Sequence, residues 1–507
     1  MASNSAGRRW LVRIGLGIAV VAGLVGARVL YVFRDRFPGY KLALAIERRE
    51  PAPEMALRAG FGRADITPRI DDPAHPVWMA GFSNGRRATN VHDPLVAASV
   101  VVDNGRARIG IVALDSIGFF HDDVIRVRER VPADWKLDYV MVCSTHNHST
   151  PDLMGLWGPD MLHSGVDPQY KEQVIAGALK ALGDAVGSLQ PARLALHEIK
   201  VNPAGLVADT RKPEVYDADL RVMLFTEAGG SRVLGSLVGW GNHPETPWAG
   251  NQDLTADFPG VIRTALEKGI VYDGQSRMAG LGGTHVFVNG AVGGLMTTHP
   301  STTVHDPFLD RDFKEPSHDK TRAVGHQLVK RILERVAEGG VPTAASVPLS
   351  VHARTLELPL ANHGFVVAGV LGLLERGHSS WLKMRTEVAF LTVGDASIAC
   401  IPGEIYPEIV NGGIVRAPGG DYDIDPLEIP PIRDLMPGKV KFLFGLANDE
   451  IGYIIPRSEW DQKPPYLFGA KGPPYGEVNS VGPDTAFLLH RTLRGLIDEA
   501  AADPAKR

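Results

Sequence analysis

Short apolar runs that alternate with helical patterns constrain the fold of this chain more than any other feature. The apolar runs predict strands at 98–102, 109–114, 139–143, 233–240, 285–288, 390–393 and 398–401. The segments of helical period predict helices at 169–186, 261–268, 322–337 and 485–500. Strands interleaved with helices are typical of enzyme-like α/β domains, and we find no internal repeat. We therefore expect an α/β (α+β, mixed-sheet) fold in one large domain.

Composition excludes several classes of protein. The 507 residues carry 53 Lys and Arg against 58 Asp and Glu, a net charge of −5, with no long basic run. This balance argues against a nucleic-acid partner. The two cysteines, Cys143 and Cys400, are too few for a disulfide-rich scaffold or a cysteine-based zinc module. Any metal site must therefore be built from the 17 histidines and from carboxylates.

The amino terminus carries an apolar segment. Residues 14–27 are uncharged, but this run is shorter than the roughly 20 apolar residues that a full membrane span needs. Residues 10–33 taken together are long enough if the side chains of Arg13 and Arg28 extend to the two interfaces. The segment therefore predicts an anchor helix that precedes the main domain.

These observations divide the chain into three parts. We expect a signal anchor over residues 1–33, a stalk over 34–57 and the main domain over 58–500. A signal peptide cleaved near Gly26-Ala27 is the alternative to the anchor. The flanking arginines are balanced and do not set the orientation. We expect the domain on the periplasmic or extracellular face of a membrane, or secreted if the amino terminus is cleaved.

Four polar segments directly follow or extend apolar strands, and they contain the candidate site residues. They supply His146 with His148, then His243, Glu404 and Tyr453. Ends of strands are where sites assemble in such sheets, and imidazole, carboxylate and phenolate together form a ligand set suited to Zn²⁺. Each segment also has an ordinary interpretation: a hydrogen-bonded histidine pair, a packed histidine, a turn and a half-buried aromatic residue. Spacing alone does not decide between these interpretations.

At these residues the chain resembles the neutral/alkaline non-lysosomal ceramidase family. Residues 60–68 and 79–82 are similar to the first strand and loop of that family, and 144–149 are similar to its Thr-His-Thr-His-Ser-Gly signature. Asn242-His243, Pro402-Gly403-Glu404 and Gly452-Tyr453 follow in the family's chain order. The resemblance covers roughly residues 58–492. Four ordered motifs are together far more specific than any one of them.

The resemblance implies a zinc ion held by His146, His243, Glu404 and Tyr453. It implies hydrolysis of an N-acyl amide bond, with ceramide as the family substrate, by water that the metal activates. His148 would then stabilise the oxyanion or carry a proton to the leaving amine, with support of the ligands as its alternative role.

Two further residues enter through the same resemblance. Tyr466 is similar in placement to a second family tyrosine near the reacting carbonyl group. Asp115, at the end of the strand predicted at 109–114, is a candidate to orient a ligand histidine through its second ring nitrogen. A buried structural role for Asp115 is the alternative.

The chain also departs from the family pattern. Where the family carries a serine sometimes assigned a role in the chemistry, this chain has Gly293, so a serine nucleophile is impossible there. The family's Asn-Arg-Ser segment is matched only by Asn202-Pro203-Ala204, and Arg211 is the candidate substitute for the missing arginine. We expect Asn202 and Arg211 to bind substrate. The carboxy-terminal sandwich domain of full-length ceramidases is expected to be absent.

Two other features of the sequence each have two interpretations, and a third has no functional significance. Residues 363–374 are apolar and predict a buried helix, with a lid or interfacial helix beside an acyl-chain groove as the alternative. Cys143 and Cys400 are expected to be buried free thiols, with a disulfide as the alternative. Residues 421–425 predict a solvated turn rather than a calcium loop.

Three functional hypotheses remain open. The first is a membrane-tethered zinc amidohydrolase that acts on ceramide or a related N-acyl lipid. The second is a zinc hydrolase of the same fold that acts on a different amide or ester, and the third is a non-catalytic lipid-binding domain. Retention of all four predicted ligands argues against the third, because charged ligands are costly to bury unpaired. The expected partners are a lipid substrate and a membrane, with no nucleic acid and no protein partner.

Overall fold

A computed structural model describes residues 4–51, 56–294 and 296–502. Within them the strands are β1 (Ala43–Arg49), β2 (Arg58–Asp65), β3 (Asn90–Val91), β4 (Val96–Asp103), β5 (Arg108–Leu114), β6 (Tyr139–Ser144), β7 (Gln190–Ile199), β8 (Leu220–Glu227), β9 (Val233–Trp240), β10 (Asp253–Leu254), β11 (Ile270–Tyr272), β12 (Gln275–Met278), β13 (Thr284–Asn289), β14 (Val304–Asp306), β15 (Arg311–Phe313), β16 (Thr343–Ala344), β17 (Leu349–Pro359), β18 (Lys383–Val393), β19 (Ala396–Cys400), β20 (Glu404–Ile405), β21 (Val440–Phe444) and β22 (Tyr453–Ile454). The α-helices are α1 (Asn4–Val32), α2 (His121–Glu129), α3 (Pro168–Gly187), α4 (Asp257–Lys268), α5 (His318–Ala337), α6 (His363–Leu371), α7 (Pro407–Asn411), α8 (Ile432–Leu435), α9 (Tyr475–Val478) and α10 (Thr485–Ala501). All seven predicted strands and all four predicted helices are confirmed, with small differences at their ends except at β18, which begins seven residues before the predicted 390–393.

Two mixed sheets pack face to face. The larger has nine strands in the order β13-β9-β8-β7-β2-β4-β5-β6, with β16 beside β7. The smaller has the order β1-β17-β18-β19-β21. Each sheet contains both parallel and antiparallel pairs; β5 and β6 are parallel, for example, and β17 and β18 are antiparallel. Apolar side chains of the two inner faces form one buried core, which includes Phe61, Ile111 and Phe225 from the larger sheet and Leu391 and Phe442 from the smaller.

Helices cover both outer faces, which gives four layers. Helix α3 packs on β2 and β4, α4 and α5 pack beside β13 and β7, and α10 packs on β17 and β18. Gly60 and Gly62 allow α3 to approach β2 closely, because a Cβ atom at either position would lie 2.0 Å from a main-chain oxygen of α3. The Gly-Phe-Gly sequence therefore presents its aromatic side chain to the inter-sheet core and bare backbone to the helix. The expected mixed α/β fold in one large domain is confirmed.

Three expectations about individual segments meet different outcomes. Residues 34–57 are not a free stalk, because β1 lies within them and pairs antiparallel with β17 at the edge of the smaller sheet. Helix α6 is not a buried helix, since only Ala368 and Gly369 are buried. Cys143 and Cys400 are buried free thiols, as expected.

Candidate metal centre

The ends of four strands bring the candidate site residues together. The loops after β6 and β9 of the larger sheet carry His146 and His243, and the chain after β19 and β21 of the smaller sheet carries Glu404 and Tyr453. Strands β20 and β22 pair in parallel, and Glu404 is directly opposite Tyr453 in that register. Asn289, at the end of β13, ties the two histidine loops, because its amide nitrogen donates to the carbonyl oxygens of Thr145 at 2.9 Å and Asn242 at 2.8 Å.

The main chain orients both ligand-type histidines. His146 Nδ1 donates to the carbonyl oxygen of Ile117 at 2.7 Å, and His243 Nδ1 donates to that of Met296 at 2.8 Å. A neutral imidazole that donates from Nδ1 carries a lone pair on Nε2. His146 also has a left-handed backbone with φ of 65°, which is uncommon outside glycine and clusters at functional sites.

The Nε2 atoms converge on one carboxylate oxygen. Glu404 Oε2 lies 3.2 Å from Nε2 of His146 and 3.1 Å from Nε2 of His243. Burial opposes ionisation of Glu404, but the two imidazoles outweigh it and hold the pKa of that carboxyl well below its ordinary value. Two lone pairs and a carboxylate at this separation repel each other unless a cation or a proton lies between them. This donor set of nitrogen and oxygen therefore fits a divalent metal such as Zn²⁺.

His148 is a third imidazole beside this pair. Its ring centroid lies 5.1 Å from that of His146 and 5.5 Å from that of His243, and ligand-type atoms of the three histidines all lie within 4.8 Å of one another. Its Nδ1 is 3.3 Å from Glu245 Oε2, and neither ring nitrogen has a hydrogen-bond partner among the described residues. Burial and the neighbouring imidazoles lower the pKa of His148 well below 6.5, so the ring is neutral and both nitrogens remain available.

Two tyrosines stand on the carboxylate side of the cluster. Tyr453 is buried, and burial together with the adjacent Glu404 raises the pKa of its hydroxyl well above 10. The ring of Tyr475, in α9, lies 5.8 Å from that of Tyr453 and lines the same pocket. Tyr475 thus lies beside Tyr453 at the pocket, whereas Tyr466 is not among the described residues that line it.

Glu450 is a site residue that the sequence interpretation missed. Its Oε1 accepts a hydrogen bond from the main-chain nitrogen of Gly452 at 2.8 Å, and its Oε2 is buried without a partner within the described residues. Burial and the neighbouring charge of Glu404 raise the pKa of Glu450 well above 4.5. The segment from Asn448 to Tyr453 did stand out in the sequence, but nothing there distinguished Glu450 from a solvated carboxylate.

A pocket with mainly apolar walls opens beside the polar cluster. Its polar lining includes His146, His148, Glu404 and Tyr453 of the cluster, together with Arg376, His378, Glu450, Tyr475 and Asn479. Its apolar walls include Phe82, Ile117, Phe120, Met154, Trp157, Leu360, Phe365, Leu374, Met384 and Val481. Such a lining, mainly apolar with a set of polar groups, suits a ligand that has an apolar chain and a polar reacting group.

Asp115 has a structural role. Its two carboxylate oxygens accept from the guanidinium of Arg263 at 2.9 and 2.6 Å, and one of them also accepts from the main-chain nitrogen of Val96. This pairing corrects the expectation that Asp115 orients a ligand histidine, because main-chain carbonyl groups do so instead. The partner Arg263 is 148 positions away in the chain, so no local pattern indicates the pair.

Neither Asn202 nor Arg211 is among the described residues that line the pocket. Asn202 is exposed, and its side-chain oxygen accepts from the main-chain nitrogen of Ala204. Arg211 forms two hydrogen bonds of 2.7 Å with the carboxylate of Glu477 in α9. The structure therefore does not bring either residue to the pocket, where the expectation placed them. Arg211 instead holds the short helix that carries Tyr475.

A second group of potential ligands has less suitable geometry. The rings of His92 and His318 stack with centroids 3.7 Å apart and an interplanar angle of 7°. His318 Nε2 forms a hydrogen bond of 2.9 Å with Oδ2 of Asp253. Imidazole lone pairs lie in the ring plane, so those of two stacked rings lie in separate, nearly parallel planes and do not converge on one ion. The first cluster is therefore the better metal site.

No protein-family model matches the sequence, and no curated protein matches it. The fold, by contrast, matches solved structures. One is neutral ceramidase from Pseudomonas aeruginosa, with a TM-score of 0.63 and 16% identity over 88% of this chain and 74% of that chain. Another is a ceramidase complexed with C2, with a TM-score of 0.64 and 16% identity over 88% of this chain and 75% of that chain. The chain has a neutral ceramidase-like fold, as its motifs predicted.

Proposed function

We propose that this protein is a zinc-dependent hydrolase that cleaves the N-acyl amide bond of ceramide or a related N-acyl lipid. The products are a free fatty acid and an amine, a sphingoid base in the case of ceramide. The observation that carries the proposal is the convergence of the Nε2 atoms of His146 and His243 on Glu404 Oε2, at 3.2 and 3.1 Å, with both Nδ1 protons committed to carbonyl groups.

His146, His243, Glu404 and Tyr453 would hold the metal. A bound zinc ion supplies a Lewis acid that polarises the amide carbonyl group and activates water for attack. The fit rests on chemistry: two imidazole nitrogens, a carboxylate and a phenol oxygen are ligands that zinc accepts. Burial raises the pKa of the Tyr453 hydroxyl well above 10, and a bound cation would displace the hydroxyl proton.

The remaining polar side chains act on the substrate. His148 is neutral and buried beside the ligands, so one of its ring nitrogens can accept the proton that the attacking water loses. We assign it the proton transfer to the leaving amine. Tyr475 lines the same pocket, and we assign to its hydroxyl group the donation of a hydrogen bond to the carbonyl oxygen. With Gly293 at the place of the family serine, attack by water is the remaining route.

The lipid substrate class is supported by the lining of the pocket. Its walls are mainly aromatic and aliphatic from Phe82 and Phe120 to Phe365 and Met384, which suits an acyl chain. Two solved proteins of the same fold are ceramidases, one of them complexed with C2. A different amide or ester is the second candidate substrate, favoured by Glu450, whose buried carboxyl group on the lining would pair with a further polar group of the substrate.

We further propose that α1 is a membrane anchor. The segment Arg8–Val32 is long and apolar enough to cross a bilayer, and this property also fits a signal sequence. The domain would then lie on the periplasmic or extracellular face.

The test is amide hydrolysis by the purified full chain, with a fluorescent short-chain ceramide as substrate. We expect release of fatty acid that a chelator abolishes and that added zinc restores. A matched fluorescent N-acyl amine without the sphingoid chain separates the two candidate substrates. Zinc binding with turnover of neither compound would contradict the amidohydrolase assignment.

A further inference from the structure

The end of α1 packs against the wall of the pocket. Val32 and Phe33 are both only 6% exposed. The ring of Phe33 lies 4.4 Å from that of His378, and a Cβ atom on Gly369 would lie 3.4 Å from Val32 Cγ1. Gly369 and His378 both line the pocket. The segment that leaves the apolar helix is therefore part of the structure that encloses the site.

Before Arg28, the described side chains of α1 are all exposed. The apolar stretch of this helix is entirely exposed, and Trp10, Leu16 and Leu24 are each about two-thirds exposed. A continuous apolar helix surface of this length is stable in a bilayer rather than in water. Arg28 marks the end of the hydrocarbon-facing part, because its Nε donates to the carbonyl oxygen of Val370 in α6 at 3.0 Å. Helix α6 therefore lies at the level of the membrane interface.

Further exposed apolar side chains lie at the same level. We call this set the interfacial patch: Leu30, Tyr31, Val367, Leu371 and Trp381, each more than half exposed. Trp381 contacts Phe33 with ring centroids 5.1 Å apart, so the patch is continuous with the end of α1. Tryptophan and tyrosine are typical of membrane interfaces, and the guanidinium of Arg34 stacks on the ring of Tyr31 at 3.6 Å, a cation that suits lipid phosphate groups.

We propose that the interfacial patch docks on the surface of the bilayer, so that the pocket receives its substrate directly from the lipid phase. Phe365 and Gly369 of α6 line the pocket, while Val367 and Leu371 of the same helix are exposed. One short helix thus contacts both the pocket and the membrane surface. The occupant of the patch is the lipid bilayer. The entry of substrate by this path rests on the function proposed above, whereas the docking itself does not.

Docking is tested by a fluorescent probe on the full chain in phosphatidylcholine vesicles. Leu371→Cys places an environment-sensitive label on the patch, and Val271→Cys places it on β11, a matched exposed control. The native thiols Cys143 and Cys400 are buried, so the introduced thiol reacts selectively, and the labelled parent chain gives the background. We expect blue-shifted emission, quenched by brominated acyl chains, from position 371 only. Equal emission and equal quenching at both positions would overturn the proposal.

Substrate entry is tested with the double variant Val367→Ser and Leu371→Ser. We expect hydrolysis of long-chain ceramide in vesicles to fall about tenfold, since two aliphatic side chains no longer enter the interface. Hydrolysis of a short-chain ceramide in solution should not change, and Val271→Ser should affect neither assay. An equal loss in both assays would contradict entry from the bilayer. If the parent chain cleaves no ceramide, the proposed function fails, and the fluorescence result still decides docking.

Discussion

Gly293 offers a sharp test of the reaction route, because a side chain does not fit there. A Cβ atom at this position would lie 2.4 Å from Cδ2 of Tyr406, 2.6 Å from its main-chain nitrogen and 2.7 Å from the carbonyl carbon of Ile405. The last two are main-chain atoms of the segment that directly follows Glu404. Ordinary contact begins at 3.4 Å, so they must shift by 3.4 − 2.7 = 0.7 Å and 3.4 − 2.6 = 0.8 Å.

Gly293→Ser should therefore damage the site rather than restore a nucleophile. Overpacking of a close-packed core costs about 1–3 kcal/mol, and here the displaced segment carries Glu404. We expect a lower free energy of unfolding in urea, weaker zinc retention and slower ceramide hydrolysis. Gly293→Ala should behave the same, because the shared Cβ atom causes the clash. Gly229→Ser is the matched control, since that glycine is exposed with no atom within 4 Å of its Cβ position.

A serine variant that is stable and faster than both the parent chain and Gly293→Ala would refute this reasoning. It would mean that the backbone tolerates the side chain and that a hydroxyl group at this position takes part in the reaction.

Two further substitutions give separate readouts. Tyr475→Phe should lower kcat/KM for the short-chain ceramide by about five- to tenfold, the usual effect of losing one hydrogen bond, whereas Tyr466→Phe should leave it unchanged; the reverse ranking would contradict the assignment of Tyr475. Burial raises the pKa of Asp257 from 3.8 to about 7, so this group stabilises the fold most at low pH and loses that contribution as the pH rises toward 7. Between pH 5 and pH 8 the free energy of unfolding of the parent chain should therefore fall by about 2–3 kcal/mol more than that of Asp257→Asn, measured in urea at both pH values. An identical pH dependence of the two proteins would show that Asp257 is not protonated in the folded state.

The sequence predicted what short-range patterns encode. Runs rich in valine and isoleucine gave every proposed strand, because such side chains pack on a half-buried pleated surface. Three of these strands, β6, β9 and β19, turned out to precede residues of the cluster, whereas β21, which precedes Tyr453, was not predicted. The pattern failed at β1, where Ala-Leu-Ala-Ile is followed by Glu-Arg-Arg and the edge position leaves most side chains exposed. No short-range sequence pattern distinguishes such an exposed edge strand from a stalk.

The rest of the site depends on contacts between distant residues. Asp115 follows a strand as a functional carboxylate would, and only the fold reveals its pairing with Arg263. Arg211 likewise pairs with Glu477, 266 positions later. Tyr466 and Tyr475 lie in the same Pro-rich loop, and the path of that loop decides which ring reaches the pocket. The buried and the interfacial interpretation of α6 differ only in what packs against the helix, which its own sequence does not reveal.

Zinc stoichiometry in ligand variants tests the central claim most directly. The measurement is zinc per chain by elemental analysis after dialysis, with hydrolysis recorded on the same samples. We predict about one zinc in the parent chain, loss of zinc in His146→Ala, His243→Ala and Glu404→Ala, and retained zinc with lost turnover in His148→Ala. The contradicting result is a parent chain without zinc, or zinc that His243→Ala retains and His148→Ala loses.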